Sequence, residues 1–165
     1  DPEEIAAADK IIFPGQGRAG PAMLELQKRN LIEVIKSTTK PFLGICLGLQ
    51  LLAEFCYEDA VAGLGVIPGK VRRLPPKIMV PQIGWNKVSI TRQTPLTKNI
   101  PNDSYFYFVN SYYLDTTEDL TAGKTLHGIE FTSAVSWKNY YATQFHPEKS
   151  GELGLRLLRN FCELC

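Results

Sequence analysis

Cys46 lies in Gly44-Ile45-Cys46-Leu47-Gly48, a G-x-nucleophile-x-G arrangement between an apolar run and a helical pattern. A nucleophile in that position sits on a sharp strand-to-helix turn, where side chains larger than hydrogen two residues before and after would collide. The turn presents the sulfur over the strand ends, where open α/β sheets bind ligands. It also sets the sulfur at a helix N-terminus, whose partial positive charge favours the thiolate. An isolated cysteine is more often a small buried hydrophobe. The two glycines and the strand-to-helix setting reverse that default here.

A thiol nucleophile needs a base, and the chain has two histidines. His146 follows a strand pattern in Gln144-Phe145-His146-Pro147-Glu148, so it too can stand at the carboxyl edge of a sheet. Glu148, two residues on past a stiffening proline, can accept from the imidazole and fix its tautomer, as the acid of a triad does. His127 has only Glu130 nearby in sequence and reads as a surface or turn histidine. Acyl transfer also needs oxyanion donors. The Leu47 backbone N–H is one candidate, and Gly15-Gln16-Gly17, after the preceding strand, offers others.

Three further patterns carry competing chemistry. Gly15-x-Gly17-x-x-Gly20 spells a dinucleotide fingerprint, but Lys40 stands near the offset where an acidic residue is wanted. Cys162-x-x-Cys165 lacks the second pair that zinc requires, and it ends a helix, where the dipole disfavours a thiolate. These two read as packing and chain-end residues. Lys70, Arg72, Arg73 and Lys77 form a basic stretch broken by Pro75-Pro76, read as a solvated loop.

The elements that must position these residues form an α/β pattern. Asp1-Pro2-Glu3-Glu4 reads as a helix start, with Asp1 as cap and Glu4 at the capping-box position. Ile11–Phe13 and Pro41–Ile45 read as buried strands, each followed by a helix: residues 21–36, and from Leu47 through Phe55. Strand–helix alternation with short loops argues a parallel sheet covered by helices. Further strands are expected at Lys70–Leu74, Lys87–Ile90, Tyr105–Val109, Phe131–Trp137 and Tyr140–Phe145. A last amphipathic helix from about Ser150 carries Leu153, Leu157, Phe161 and Leu164.

Composition bounds the rest. The 165 residues are 44% hydrophobic and 21% charged, as in an ordinary globular domain. With a net charge of +1, no basic field announces nucleic acid or an anionic membrane. No apolar run approaches the ~20 residues of a membrane span. Four irregularly spaced cysteines favour a reducing cytoplasm. No metal or cofactor is expected. The chain begins at Asp1, and its only methionines are Met23 and Met79, so a missing upstream piece is expected.

Taken together, the chain resembles the class I (triad-type) glutamine amidotransferases. The shared stretches are Phe13-Pro14-Gly15-Gln16-Gly17, Gly44 through Gln50, and Phe145-His146-Pro147-Glu148-Lys149-Ser150. Val80-Pro81-Gln82-Ile83-Gly84-Trp85-Asn86 and Tyr107 through Tyr113 also match, and within them Gly84-Trp85-Asn86 and Ser111-Tyr112-Tyr113 narrow the resemblance to the glutaminase subunits of imidazole glycerol phosphate synthases. The resemblance implies a flavodoxin-like three-layer sandwich, its mixed sheet mostly parallel with added antiparallel strands. It implies that Cys46, His146 and Glu148 hydrolyse L-glutamine through a thioester. Backbone near Gly15, Gln16 and Leu47 would then hold the oxyanion, and Gln50 with the Ser111-Tyr112 backbone the amino-acid end. It further implies a heterodimer with a (β/α)8-barrel cyclase that takes up the ammonia, with Trp85 and Lys149 near the interface, and little glutaminase activity for this chain alone.

The chain departs from the family form at Gln16, where valine is usual, and at Gln82 and Asn110, where histidine is common. Residues 1–165 are expected to form one amidotransferase domain without the N-terminal strand–helix–strand unit. Two alternatives stand beside this reading: a paralogous glutaminase feeding another synthase, and a catalytically impaired binding partner.

Overall fold

The computed structural model describes residues 1–165. Helix α1 (Pro2–Ala7) starts as its sequence dictates, the Asp1 carboxylate accepting from Glu3 N at 2.8 Å and Pro2 sitting where its missing N–H costs nothing. Strand β1 (Ile11–Gly15) leads to α2 (Ala19–Lys28) and α3 (Ile32–Ser37). The single helix expected over residues 21–36 is therefore two, because Asn30 takes a left-handed conformation (φ 57°) and turns the chain between them. Strand β2 (Phe42–Cys46) then runs straight into α4 (Leu47–Leu52). That helix stops short of Phe55, which lies on β3 (Ala53–Cys56). Short β4 (Val61–Ala62), then β5 (Ile67–Arg73), β6 (Gln82–Ile90), β7 (Ser104–Asn110) and β8 (Tyr112–Asp115) follow. The chain ends with β9 (Thr121–His127), β10 (Ile129–Trp137), β11 (Tyr140–Thr143) and α5 (Gly151–Leu164).

The strands form one mixed sheet in the order β1-β2-β11-β10-β8-β5-β3-β4, with β9 beside β10 and the β6–β7 pair carried on β9. The sheet is mixed as expected, but its balance differs from a mostly parallel one. Parallel pairing is confined to β1–β2, β2–β11 and β3–β5, and the other pairs are antiparallel. A parallel crossover needs a dozen or more connecting residues, which the turns at Gly128 and at Lys138-Asn139 do not supply.

Both faces of the β1–β2–β11 region are covered, so the architecture has three layers. Phe42, Tyr140 and Ala142 pack with Met23, Leu26 and Ile35 of α2 and α3. The alternate residues Leu43, Ile45 and Tyr141 pack with Leu157 and Phe161 of α5. All five residues of β2 are buried, as a strand covered on both sides requires. Lys10 Nζ donates to the carbonyls of Phe161, Cys162 and Cys165 at 2.7–3.0 Å and closes the C-terminus of α5. Both chain-end cysteines are free thiols. No helix is long and apolar enough to cross a membrane.

Because β1, β2 and β11 run parallel in register, their carboxyl ends meet at one edge. Gly15 pairs with Cys46, and Thr143 with Ile45. The segment that carries His146 leaves the sheet at the same edge.

Candidate active site

Cys46 is the last residue of β2 and the residue before α4, with φ 54° and ψ −106°. A non-glycine residue held there stores on the order of 1–3 kcal/mol of backbone strain. The flanking glycines are sterically required. A Cβ on Gly44 would lie 2.9 Å from the Gly48 carbonyl carbon, and one on Gly48 would overlap the Phe13 carbonyl oxygen. The spacing read in the sequence thus has a direct packing cause.

The Cys46 thiol is nearly buried, 8% exposed. It donates to Val109 O and accepts from Gln144 Nε2, each at 3.7 Å. Burial pushes the thiol up to about 11; the Leu47 N–H, Gln144 and Lys149 pull it down and the Glu148 charge pushes it further up. The expectation that the helix end would favour a thiolate is therefore overturned. Desolvation of the sulfur outweighs the pull of a six-residue helix. The resting nucleophile is a thiol and must lose its proton to attack.

His146 is fixed on several sides. Its N–H donates to Tyr107 O at 2.9 Å, and its carbonyl accepts from Ser150 Oγ at 2.6 Å. Phe145, just before it, stacks on Phe106 with ring centroids 4.2 Å apart. The ring Nδ1 lies 2.7 Å from Glu148 Oε1 across the short turn Pro147–Lys149. With Nδ1 engaged, Nε2 is the nitrogen left for chemistry. The sulfur bonds to Val109 and Gln144 rather than to His146, but both side chains face one pocket. Nucleophile–base contacts are often loose before substrate binds.

That pocket encloses about 310 Å³. Gln16, Leu47, Gln50, Ser111 and Tyr112 line it. Gly15 does not. It sits behind the Leu47 side chain, and Gly17, at φ 104°, takes its place on the wall. Glu148 stands behind His146. Lys149, expected near a partner interface, is one of the residues that line the pocket. Trp85 is away from it, 55% exposed on β6. His127 is half-buried and bonded to Met79 O at 2.7 Å.

Two residues of the site, one bonded to the Cys46 sulfur and one on the pocket wall, were not marked in the sequence. Gln144 is fully buried and links Cys46 Sγ to Gln50 Nε2, which lies 3.2 Å from its Oε1. Its place two residues before His146 was the available signal. Glu58 comes to the wall on the short turn Glu58–Ala60, its carboxylate accepting from Ala19 N at 3.0 Å, and no sequence motif marks it. No group of three or more His, Cys, Asp or Glu side chains is placed to hold a metal ion.

The sequence pattern of the family described as "Glutamine amidotransferase class-I" matches residues 1–165. The chain belongs to the class-I glutamine amidotransferases. Similar to this amidotransferase is the imidazole glycerol phosphate synthase subunit HisH of Methanocaldococcus jannaschii, 47% identical over 98% of this chain and 84% of the relative. Its Haemophilus influenzae counterpart is 46% identical over 99% of this chain and 82% of its own length. Among solved structures, a glutamine amidotransferase superposes with a TM-score of 0.72 at 15% identity, covering 98% of this chain and 83% of that one. The glutaminase domain of Trypanosoma brucei CTPS with bound acivicin superposes at 0.68 and 18% identity, covering 98% and 74%. At such identities the structural likeness speaks to the fold of the amidotransferase and to nothing finer.

Proposed function

We propose that this amidotransferase is the glutaminase subunit of an imidazole glycerol phosphate synthase. It hydrolyses L-glutamine to glutamate and ammonia and acts in the cytoplasm, in keeping with its four free thiols. The observation that carries the reading is one pocket wall holding Cys46 on a strained turn and His146 locked by Glu148.

Cys46 Sγ attacks the side-chain amide carbon as its proton passes to His146 Nε2. The tetrahedral oxyanion is held by the Leu47 N–H and by backbone of Gln16 and Gly17. His146 returns the proton to the amide nitrogen, the C–N bond breaks, and ammonia leaves a Cys46 thioester. Water, deprotonated by His146, then cleaves the C–S bond to give glutamate and the free thiol. Glu148 orients the imidazole and stabilises its charged form. Gln50 with Ser111 and Tyr112 holds the amino-acid end, and the Glu58 carboxylate suits its α-ammonium.

The ammonia passes to a (β/α)8-barrel cyclase, which makes imidazole glycerol phosphate and AICAR in histidine biosynthesis. Transfer without release is chemically sensible, because ammonia in neutral water is largely protonated and no longer nucleophilic. A surface suited to such a partner lies on the outer side of the β6–β7 pair. Exposed Ile83 and Trp85 stand opposite Val109 and Tyr107 there, an apolar ladder of the kind that marks interaction sites. The Val109 carbonyl also contacts Cys46 Sγ, so this face adjoins the thiol.

A glutamine-mimicking electrophile tests the assignment. With the barrel partner present, labelling is expected at Cys46 and lost in Cys46→Ala, with glutamate formation lost in parallel. Absence of a Cys46 adduct in that complex would overturn the reading.

A further inference from the structure

Gln82 and Asn110 face each other across the β6–β7 pair, and their residues are 4% and 5% exposed. Gln82 Nε2, Gln82 Oε1 and Asn110 Oδ1 have no hydrogen-bond partner, whereas Asn110 Nδ2 donates to Tyr112 O at 3.0 Å. Buried polar atoms are nearly always paired, and each one left bare destabilises the fold. Three bare atoms on two directly opposed side chains therefore ask for an occupant.

Position says which occupant. Asn110 lines the pocket that holds Cys46 and His146, and Val109, its neighbour, contacts the sulfur. Gln82 follows Pro81, another residue of the pocket wall. The next residues outward on both strands, Ile83 and Val109, open the exposed apolar ladder. The two amides thus lie where the reaction site meets the face turned to a partner. They offer two carbonyl acceptors and one amide donor, with no charge and no proton to give. A guest suited to them is small and neutral, donates at least twice and accepts once. Ammonia leaving the Cys46 site, with three N–H bonds and one lone pair, meets that description.

We infer that Gln82 and Asn110 form a station that holds ammonia in its unprotonated form beside the reaction pocket. The inference rests on the glutaminase reading and adds a site to it. Gln82 is a positioning residue: it touches the departing product, not the reacting carbon.

The station can be read through the reverse of the first half-reaction. Labelled ammonia attacks the Cys46 thioester, the C–N bond forms as the C–S bond breaks, and the ammonia proton passes to sulfur through His146. The products are the free thiol and ¹⁵N-glutamine. The measurement is the ratio of ¹⁵N entering unreacted glutamine to glutamate formed, in the complex with the barrel partner and ¹⁵N-ammonium present. Gln82→Met, nearly the same shape, is expected to lower that ratio about tenfold, the factor carried by one or two hydrogen bonds. Glutamate formation should stay within about twofold, because Gln82 is not on the pocket wall. Its melting temperature should match or exceed the wild type's, since a bare amide has been removed. Gln82→His, which restores a neutral donor and acceptor, should recover the exchange.

An unchanged exchange ratio in Gln82→Met overturns the station and leaves ordinary water as its occupant. Parallel loss of exchange, hydrolysis and melting temperature overturns it in favour of a purely structural role. A wild-type complex that forms neither glutamate nor a Cys46 adduct overturns the glutaminase reading, and the station with it. That outcome is distinct from an intact enzyme whose exchange ignores Gln82.

Discussion

Glu148 Oε1 stands 2.7 Å from His146 Nδ1, but the two side chains differ sharply in environment: the imidazole is 5% exposed and the carboxylate 44%. Water therefore screens part of the charge that Glu148 presents, while its hydrogen bond still fixes the ring. Exchanging a buried triad carboxylate for its amide costs about 10⁴-fold in kcat. Glu148→Gln removes a charge that water already screens and should cost less, about 10–100-fold in kcat with KM little changed. His146→Ala should cost at least about 10³-fold. Steady-state glutaminase kinetics of both variants check this. Equal losses would mean that the carboxylate does far more than orient.

The Cys46 thiol sets an alkaline limit on stability. Burial raises it from the ordinary 9.0 to about 11, so between those values the folded chain binds more protons than the unfolded one. Its contribution is whole below pH 9 and is lost as pH rises through about 11. Cys56, wholly buried and pushed to about 12 by burial and then by Glu58 and Asp59, acts in the same direction. Denaturant midpoints measured from pH 7 to pH 11 should fall above pH 9, and the fall should be shallower in Cys46→Ala than in the wild type. Alkylation of Cys46 by a neutral reagent should be slow at pH 7 and accelerate above pH 9. Rapid labelling of the free chain at neutral pH, with no further rise, would show a resident thiolate instead.

What the sequence disclosed follows from how local each determinant is. The turn at Cys46 was legible because Gly44 and Gly48 are required within two residues of it. His146 and Glu148 were legible because two residues and a proline set their distance. Cys46's ionisation was not, since it depends on burial by β7 and Gln144, distant in the chain. The same holds for Glu58, brought in by a turn, and for Lys149, whose place on the pocket wall depends on the fold. Strands β3, β4, β8 and β9 escaped pattern reading because their partners, not their own periodicity, make them strands. Thr121–His127 reads as polar and glycine-bearing until β10 and β6 pair with it on either side.

The glycines around the site make opposite predictions. Alanine at Gly48 puts a methyl group onto the Phe13 carbonyl, which is backbone and cannot rotate away. Gly48→Ala should destabilise by about 3 kcal/mol or more, a drop of roughly 6–12 °C in Tm for a chain of this size. Gly17 has open space around it but a φ of 104°. Gly17→Ala should cost only about 1–2 kcal/mol, its larger effect falling on KM through the pocket wall. Thermal melts and kinetics on the two variants separate packing from backbone strain. A Gly48→Ala protein as stable as the wild type would contradict the packing account of the turn.

Trp85 offers the sharpest separation of folding from association. It is 55% exposed, and its main internal contact is edge-on to Tyr107, with ring centroids 6.1 Å apart. Truncating an exposed side chain changes stability by no more than about 0.5 kcal/mol. A large aromatic at the centre of an interface, by contrast, is commonly worth about 2–4 kcal/mol of binding. Trp85→Ala should therefore leave the melting temperature of the free chain almost unchanged while raising the dissociation constant for the barrel partner about 30–1,000-fold. Because the free chain is expected to turn over slowly, glutaminase activity at limiting partner should fall with the lost affinity and recover at saturating partner. Titration of partner against glutamate formation, with calorimetry on the same samples, reads both effects. Undiminished affinity in Trp85→Ala would move the docking face away from the β6–β7 ladder.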